Sequence, residues 1–379
     1  MKILLLKKFL SFDKDCNNRK SKLSLYLNNF SVLITVLSII FIVLIISVND
    51  GFKLTINELM ISLNGKYKIS NKYNQKLTDN DFNSISSYLS NETLISKLSS
   101  KKLIVKNRNL SEPVNIIAFS NHENFINKIK DKLISGKISN DEIIIGQILA
   151  EKLNVNIGSQ LIFMDISSSI KEVDRLTVGG IFNTNIPNYD KYIIYGNRLL
   201  FEKFIDTNYD YFLTNYNIKN IDFVKSEYIV SSIYELNDNL FNWLDLYDTP
   251  IKMLVMFILI ICIFNILQNN FLYITSQRKN LYILKTLGLN NVYLYSIIIF
   301  RSLLTLSFSC LIAFIVSYSI LIIESNMNFI KLPEYVYFTN ILPISIDYTL
   351  ILYIFPFMTL VLLVISIFFY FNFIKRYEF

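Results

Sequence analysis

The chain has 379 residues, 52% of them hydrophobic, 15% aromatic and only 18% charged, with a formal net charge of +7. Soluble domains average about 25% charged residues, so this composition, with a mean hydropathy of +0.39, excludes an ordinary soluble enzyme; the basic residues also form no nucleic-acid-binding stripe. The length allows two or three compact units, and the apolar residues are gathered in blocks.

Residues 1–28 carry Lys2, Lys7, Lys8, Lys14, Arg19, Lys20 and Lys22 and read as a cytoplasmic N-terminal segment. A first transmembrane helix is expected at 29–49, since a bilayer takes about 20 apolar residues as helix. It is longer than the apolar core of a cleavable signal peptide, so it reads as an uncleaved anchor. Phe52, Ile56, Leu59, Met60 and Leu63 fall on one helical face and predict that this helix continues as an amphipathic stalk.

Residues 50–250 then read as a mixed α+β domain. Strands are expected at 66–70, 101–106, 113–119, 141–145, 160–164, 176–182 and 191–195. Thr78 and Asp79 cap a helix with the face Phe82, Ile85, Tyr88 and Leu89, and a short helix spans 147–153. Val230 to Leu246 is read as a helix leading back to the membrane.

Three further spans follow, at 252–275, 292–323 and 348–374, separated by a cytoplasmic helix at 276–291 and an outer loop at 324–347. The chain ends in a cytoplasmic tail at 375–379. Orientation comes from basic residues flanking short loops: the N-terminal run, then Arg278, Lys279 and Lys285, then Lys375 and Arg376. Both termini are therefore expected in the cytoplasm. The predicted fold class is an α-helical membrane protein with four transmembrane helices and a large α+β extracytoplasmic domain between helices 1 and 2. Trp243, Phe241 and Tyr377 suit interfacial aromatic belts. Asn265, midway along the second span, is expected to hydrogen-bond to a neighbouring helix. Arg301, an intramembrane charge and so a functional candidate, is expected rather to snorkel or to find a local helix partner.

Catalytic and metal chemistry are poorly represented. The sole histidine, His122, lies in a polar run with no cysteine nearby, and Cys16, Cys262 and Cys310 make no disulfide framework. There is no GxSxG, no HExxH and no phosphate-loop signature, so neither a catalytic centre, a metal nor a bound cofactor is expected.

Four local patterns give the chain a family resemblance. Ser47-Val48-Asn49-Asp50-Gly51-Phe52 resembles "SVMNGF", and Gly146 to Ser159 resembles "GxxLAxxLGVxxGD". Phe264-Asn265-Ile266 followed by Arg278 to Gly288 resembles "FNI" and then "RRDIAILRTMG". Leu332 to Phe338 with Leu342-Pro343 resembles "LPxxVYFxxLP". In this order they make the chain similar to permease subunits of the lipoprotein-releasing ABC transporters (the LolC/LolE family, among the FtsX- and MacB-like four-span permeases). Asn280 stands where that family's cytoplasmic motif is acidic. Residues 165–175 lack the Phe and Pro of the hook one member type carries.

The resemblance implies a non-catalytic subunit in the inner membrane. A cytoplasmic ATPase dimer would use ATP, a second permease chain would pair with this one, and a lipoprotein would be passed toward a periplasmic carrier protein. It places an ATPase-coupling helix at Arg278, Lys279, Leu281, Ile283, Leu284, Lys285, Leu287 and Gly288. Leu281, Leu284 and Leu287 give that helix a small apolar face; a helix of this kind plugs a groove on a soluble partner or lies against headgroups. Val36, Ile39, Ile40, Val43, Met256 and Ile260 are candidates to line an acyl-chain cavity. Alternative readings are a related permease exporting another amphiphile, a mechanical regulator of a cell-wall hydrolase, and a membrane-anchored sensor needing no ATPase.

Overall fold

The computed structural model describes residues 19–73, 75–87, 95–120, 129–165, 173–216, 227–289 and 291–369. Cys16, His122, Tyr88, Leu89, most of the N-terminal basic run, residues 166–172 of the hook segment and the tail from 370 lie outside them. The chain divides into two compact units: Met1–Phe52, Leu244–Ile330 and Leu342–Phe379 form one, and Lys53–Trp243 with Lys331–Ile341 form the other.

The elements run α1 (Arg19–Asn64), β1 (Tyr67–Asn71), α2 (Asp79–Ser87), β2 (Ile95–Asn107), β3 (Leu110–Phe119), β4 (Leu133–Gly136), β5 (Ile143–Gly146) and α3 (Gln147–Leu153). Next come β6 (Gln160–Met164), β7 (Val173–Phe182), α4 (Pro187–Tyr192), β8 (Ile193–Asn197), a 3-10 turn (Arg198–Phe201), β9 (Tyr211–Thr214) and β10 (Tyr228–Ser232). The last are α5 (Ile233–Leu236), α6 (Asp238–Ser276), α7 (Arg278–Thr286), α8 (Asn291–Met327), α9 (Glu334–Tyr337) and α10 (Leu350–Phe369).

The second unit is built on a sheet ordered β10-β1-β9-β2-β3-β8-β5-β7-β4, with β6 pairing both β2 and β7. Those two pairings close β2-β3-β8-β5-β7-β6 into a ring, which leaves those strands without a free edge. Alternation along each strand turns apolar side chains inward. Val105, Ile116, Ile143, Ile145, Leu161, Phe163, Val178 and Ile194 fill the ring, with Leu149 and Leu153 of α3 and Phe201 packed on them. A second cluster under α2 gathers Ile69, Leu77, Phe82, Ile85, Ile95, Tyr209 and Phe212.

Local chemistry fixes these elements. Thr78 caps α2 as expected: its N–H and Oγ1 both donate to the Asp81 carboxylate at 2.7 Å. Tyr228 Oη donates to the other Asp81 oxygen at 2.7 Å, joining β10 to the start of α2. Burial raises the Asp81 pKa, but the Thr78 and Tyr228 hydrogen bonds outweigh it and leave the carboxyl below its ordinary value. The Tyr228 phenol is pushed up to about 12, first by burial and then by Asp81.

Three strands escaped the sequence pattern. β4 and β9 are only four residues long, too short for alternation to register. β10 overturns the helix expected from Val230: residues 230–232 pair antiparallel with Lys68, Ile69 and Tyr67 of β1, and the chain becomes helical only at Ile233, behind a Ser232–Glu235 capping box. Strand pairing overrode local propensity there. The expected start of the second span at 252 falls inside α6, which runs unbroken from Asp238 through Pro250 to Ser276.

In α1, Ile56, Met60 and Leu63 are buried, as the stalk pattern requires. Among the described residues, three helices are long and apolar enough to cross a membrane, within Phe30–Asn64, Asp238–Ser276 and Ser296–Met327. α10 is a shorter apolar helix of 20 residues with Pro356 inside it. Together they enclose Ile39, Val43, Cys262, Ile266, Leu306, Ala313, Leu321 and Met358.

Two predictions follow for the sheet unit. A Cβ on Gly146, at the turn from β5 into α3, would stand 2.2 Å from the Asp190 carbonyl oxygen and 2.5 Å from its Cα. Because those atoms are backbone, Gly146→Ala should cost about 1–3 kcal/mol, read as a lower Tm with unchanged secondary structure. Asp190 is 2% exposed and accepts from the Thr184 N–H and Oγ1, both at 2.8 Å. Burial raises its pKa above the ordinary carboxyl value, against those hydrogen bonds. Stability contributed by the protonated form is therefore present at low pH and lost as pH rises through the native pKa. Asp190→Asn keeps the accepting oxygen and should raise Tm at neutral pH while flattening that decline, in melts of the full chain in detergent.

Candidate functional site: a docking helix and a polar membrane core

α7 is a nine-residue helix, too short to be stable alone. It begins with Arg278 and Lys279, cations at the end where the helix dipole disfavours them. Its end is better built. The Gly288 N–H donates to the Lys285 carbonyl and the Leu289 N–H to the Leu284 carbonyl, at 2.9 and 3.2 Å, and Gly288 has φ +88°. This is a Schellman stop, which glycine accommodates without Cβ strain.

Exposure divides the helix differently from the expected 281/284/287 face. Tyr282, Ile283 and Leu287 are 53%, 54% and 74% exposed, whereas Leu284 and Lys285 are half-buried. The Leu281 side chain lies outside the described residues. Positions 282, 283, 286 and 287 repeat as i, i+1, i+4 and i+5, one contiguous face on a 3.6-residue helix, and Lys279 falls in its centre. Tyr282 and Thr286 share this face with Ile283 and Leu287, which the sequence reading had named.

The six cavity candidates are not brought round one cavity. Ile39 and Val43 are fully buried, Ile40 nearly so and Val36 half-buried within the helix cluster. Met256 and Ile260 are 52% and 38% exposed, on the uncovered face of α6.

The space in this unit is of mixed character, with Val32, Ile266, Leu306 and Leu362 among its walls. A small cavity of 20 Å³ is lined by Ser31, Thr35, Asn269, Asn270, Ser302 and Thr305, with a few neighbours, enough for one water. Beside it, Asn265 Nδ2 donates to the Ser31 carbonyl at 2.6 Å and to Thr35 Oγ1 at 2.9 Å, and Ser31 Oγ donates to Asn265 Oδ1 at 3.0 Å. Asn265 thus ties α6 to α1, the helix partner expected of it. Ser302 Oγ of α8 donates to Asn270 Oδ1 at 2.5 Å. The Arg301 guanidinium lies 3.6 Å from the centre of the Tyr273 ring, a cation–π contact, so a local helix partner accounts for it. Among the described residues no group of His, Cys, Asp and Glu could hold a metal.

Long apolar helices, a helix with an uncovered apolar face between two of them, and a large sheet unit inserted after the first define a multi-pass membrane protein with a large non-membrane domain. Residues 252–377 match the family model FtsX-like permease C-terminal. The chain is 34% identical over 155 residues to the lipoprotein-releasing system transmembrane protein LolC of Buchnera aphidicola subsp. Acyrthosiphon pisum (strain APS), covering 38% of each; it thus spans well under half the length of that relative. The chain is therefore similar to FtsX-like permeases over its C-terminal third and to LolC over 155 residues. Solved structures similar to it include the periplasmic region of MacB from Actinobacillus actinomycetemcomitans, 13% identical with a TM-score of 0.34 over 48% of this chain and 96% of that one. The extracellular domain of YknZ from Gram-positive bacteria is also 13% identical, with a TM-score of 0.32 over 46% and 94%.

Asn265→Leu removes the donors and acceptor that engage Ser31 and Thr35. It should cost about 1–2 kcal/mol of helix packing, measured by SDS-titrated unfolding in mixed micelles.

Proposed function

We propose that this chain is the membrane subunit of an ABC transporter that releases lipoproteins from the inner membrane toward the outer membrane. The observation that carries the reading is the LolC likeness, 34% over 155 residues, joined to the exposed apolar face of α7. Four spans with both termini in the cytoplasm follow from the basic flanking residues and put α7 on the ATP side. The sheet unit then lies in the envelope.

In this reading the chain is non-catalytic and binds no cofactor. A cytoplasmic ATPase dimer hydrolyses ATP, and one ATPase subunit receives Tyr282, Ile283 and Leu287 in a groove. The two cations at 278 and 279 steer an acidic partner or hold headgroups. Closure of the ATPase pushes α7, and the membrane helices, acting with a second permease chain, carry the stroke to the envelope side. There the lipoprotein leaves its bilayer for a carrier. Each acyl CH₂ withdrawn loses about 0.8 kcal/mol, which is why the step needs ATP. The exposed side of α6, including Met256 and Ile260, offers apolar surface for those chains, next to lipid.

The test places Leu287→Asp and, separately, Leu284→Asp in the full chain. Leu287→Asp should lower co-purification with the ATPase at least tenfold, the effect of burying a charge in an apolar groove, while membrane insertion is unchanged. Leu284→Asp, half-buried within the chain, should lower the chain's own stability first. Depletion of the protein should raise the lipoprotein content of the inner membrane. Normal association of the Leu287 variant, or unchanged lipoprotein distribution on depletion, rejects the reading.

A further inference from the structure

Helix α1 carries more hydrogen-bonding groups on its buried side than its present contacts with α6 use. Ser31, Thr35 and Ser38 are 5%, 6% and 6% exposed, and at 3.6 residues per turn they fall within about 60° of one another. Asn265 engages the first two of these. The stripe ends at Ile42, 2% exposed and apolar.

Farther along α1, at Ser47 and Gly51, a second segment holds the same axial position. The Ser345 N–H and Oγ both donate to the Ser47 carbonyl, at 3.0 and 3.2 Å. One turn along, Gly51 lies so close to this strap that a Cβ would be 2.6 Å from the Pro343 carbonyl oxygen and 2.7 Å from the Ile344 Cα. Only a residue without a side chain fits there, so strap and helix are keyed at a single register.

We propose that α1 has a second axial register against α6, one helical turn away, in which Asn265 passes from Ser31 and Thr35 to Thr35 and Ser38 and the 343–345 strap is released. The step is about 5.4 Å. It exchanges one pair of hydroxyls for another, so no amide is left unsatisfied in the apolar interior at either end of the movement. The strap must lift because the shift brings Leu54 and Thr55, which have side chains, to the place of Gly51. Ile42 limits the travel to one step. Two-position packing of this kind is how small displacements become discrete, and the device does not depend on what the transporter moves.

The experiment uses the full chain in native membranes with Ser47→Cys, a position 1% exposed in the present register, and a small polar thiol reagent. The same chain without that substitution gives the background from the native cysteines. Labelling requires the strap to lift, so its rate follows the population of the second register. Ser31→Ala removes a partner of the first register only and should speed labelling about threefold, the ratio one interhelical polar contact commands in a bilayer. Ser38→Ala removes a partner of the second only and should slow it about threefold. Ser38→Thr, which keeps the hydroxyl, should restore the original rate. If the two alanine variants shift the rate in the same direction, or either leaves it unchanged, α1 has one register and the proposal fails. Because no transport is measured, that failure leaves the lipoprotein-release reading standing.

Discussion

Polar groups in hydrocarbon must find their partners inside the protein, and the membrane unit is arranged around that requirement. Asn265 and Asn270 on α6 would each be costly against lipid. They are satisfied by hydroxyls of α1 and α8, so one helix ties to two neighbours through side chains spaced about a turn and a half apart. Ser309, Ser307 and Thr305 of α8 return their hydroxyl protons to carbonyls of their own helix, a local solution that leaves the helix surface able to pack. The apolar cluster around Ile39, Val43, Ala313 and Met358 supplies contact area. It supplies no specific register, because dispersion is non-directional; the hydrogen bonds and the Gly51 seat do that.

The same logic separates α7 from the helices that flank it. Its neighbours α6 and α8 run 39 and 37 residues, whereas α7 has nine, opens with two cations at its positive end, and leaves Tyr282, Ile283 and Leu287 uncovered. Nothing in its own energetics favours that arrangement. In the proposed function this uncovered face is the half of an interface that the chain supplies.

The sheet unit solves a different problem. A sheet presenting long free edges invites unwanted pairing. Closing six strands into a ring through β6 removes most of them; β4 continues the sheet beyond β7, and the wing of β9, β1 and β10 packs under α2. The Lys101–Asp165 ion pair, 2.6 Å with the carboxylate fully buried, ties the middle of β2 to the residue after β6, and Thr78 and Asp81 cap α2.

Much of this was written in the chain. The blocks of apolar residues announce the membrane helices, because a bilayer demands about 20 such residues in a row whatever their neighbours. The short helix at 147–153, the strand at 160–164 and the stop at Gly288 are equally local, set by capping and turn chemistry within a few residues. What the sequence left open depended on partners distant in the chain. Residues 230–232 became a strand because β1, some 160 positions earlier, offered its edge; Leu284 turned inward and Tyr282 outward because α7 rests within its own unit; Met256 and Ile260 stood apart from Val43 because α6 presents two faces and only packing selects between them. Periodicity fixes which residues share a side of an element, but which side is covered is a property of the assembled fold.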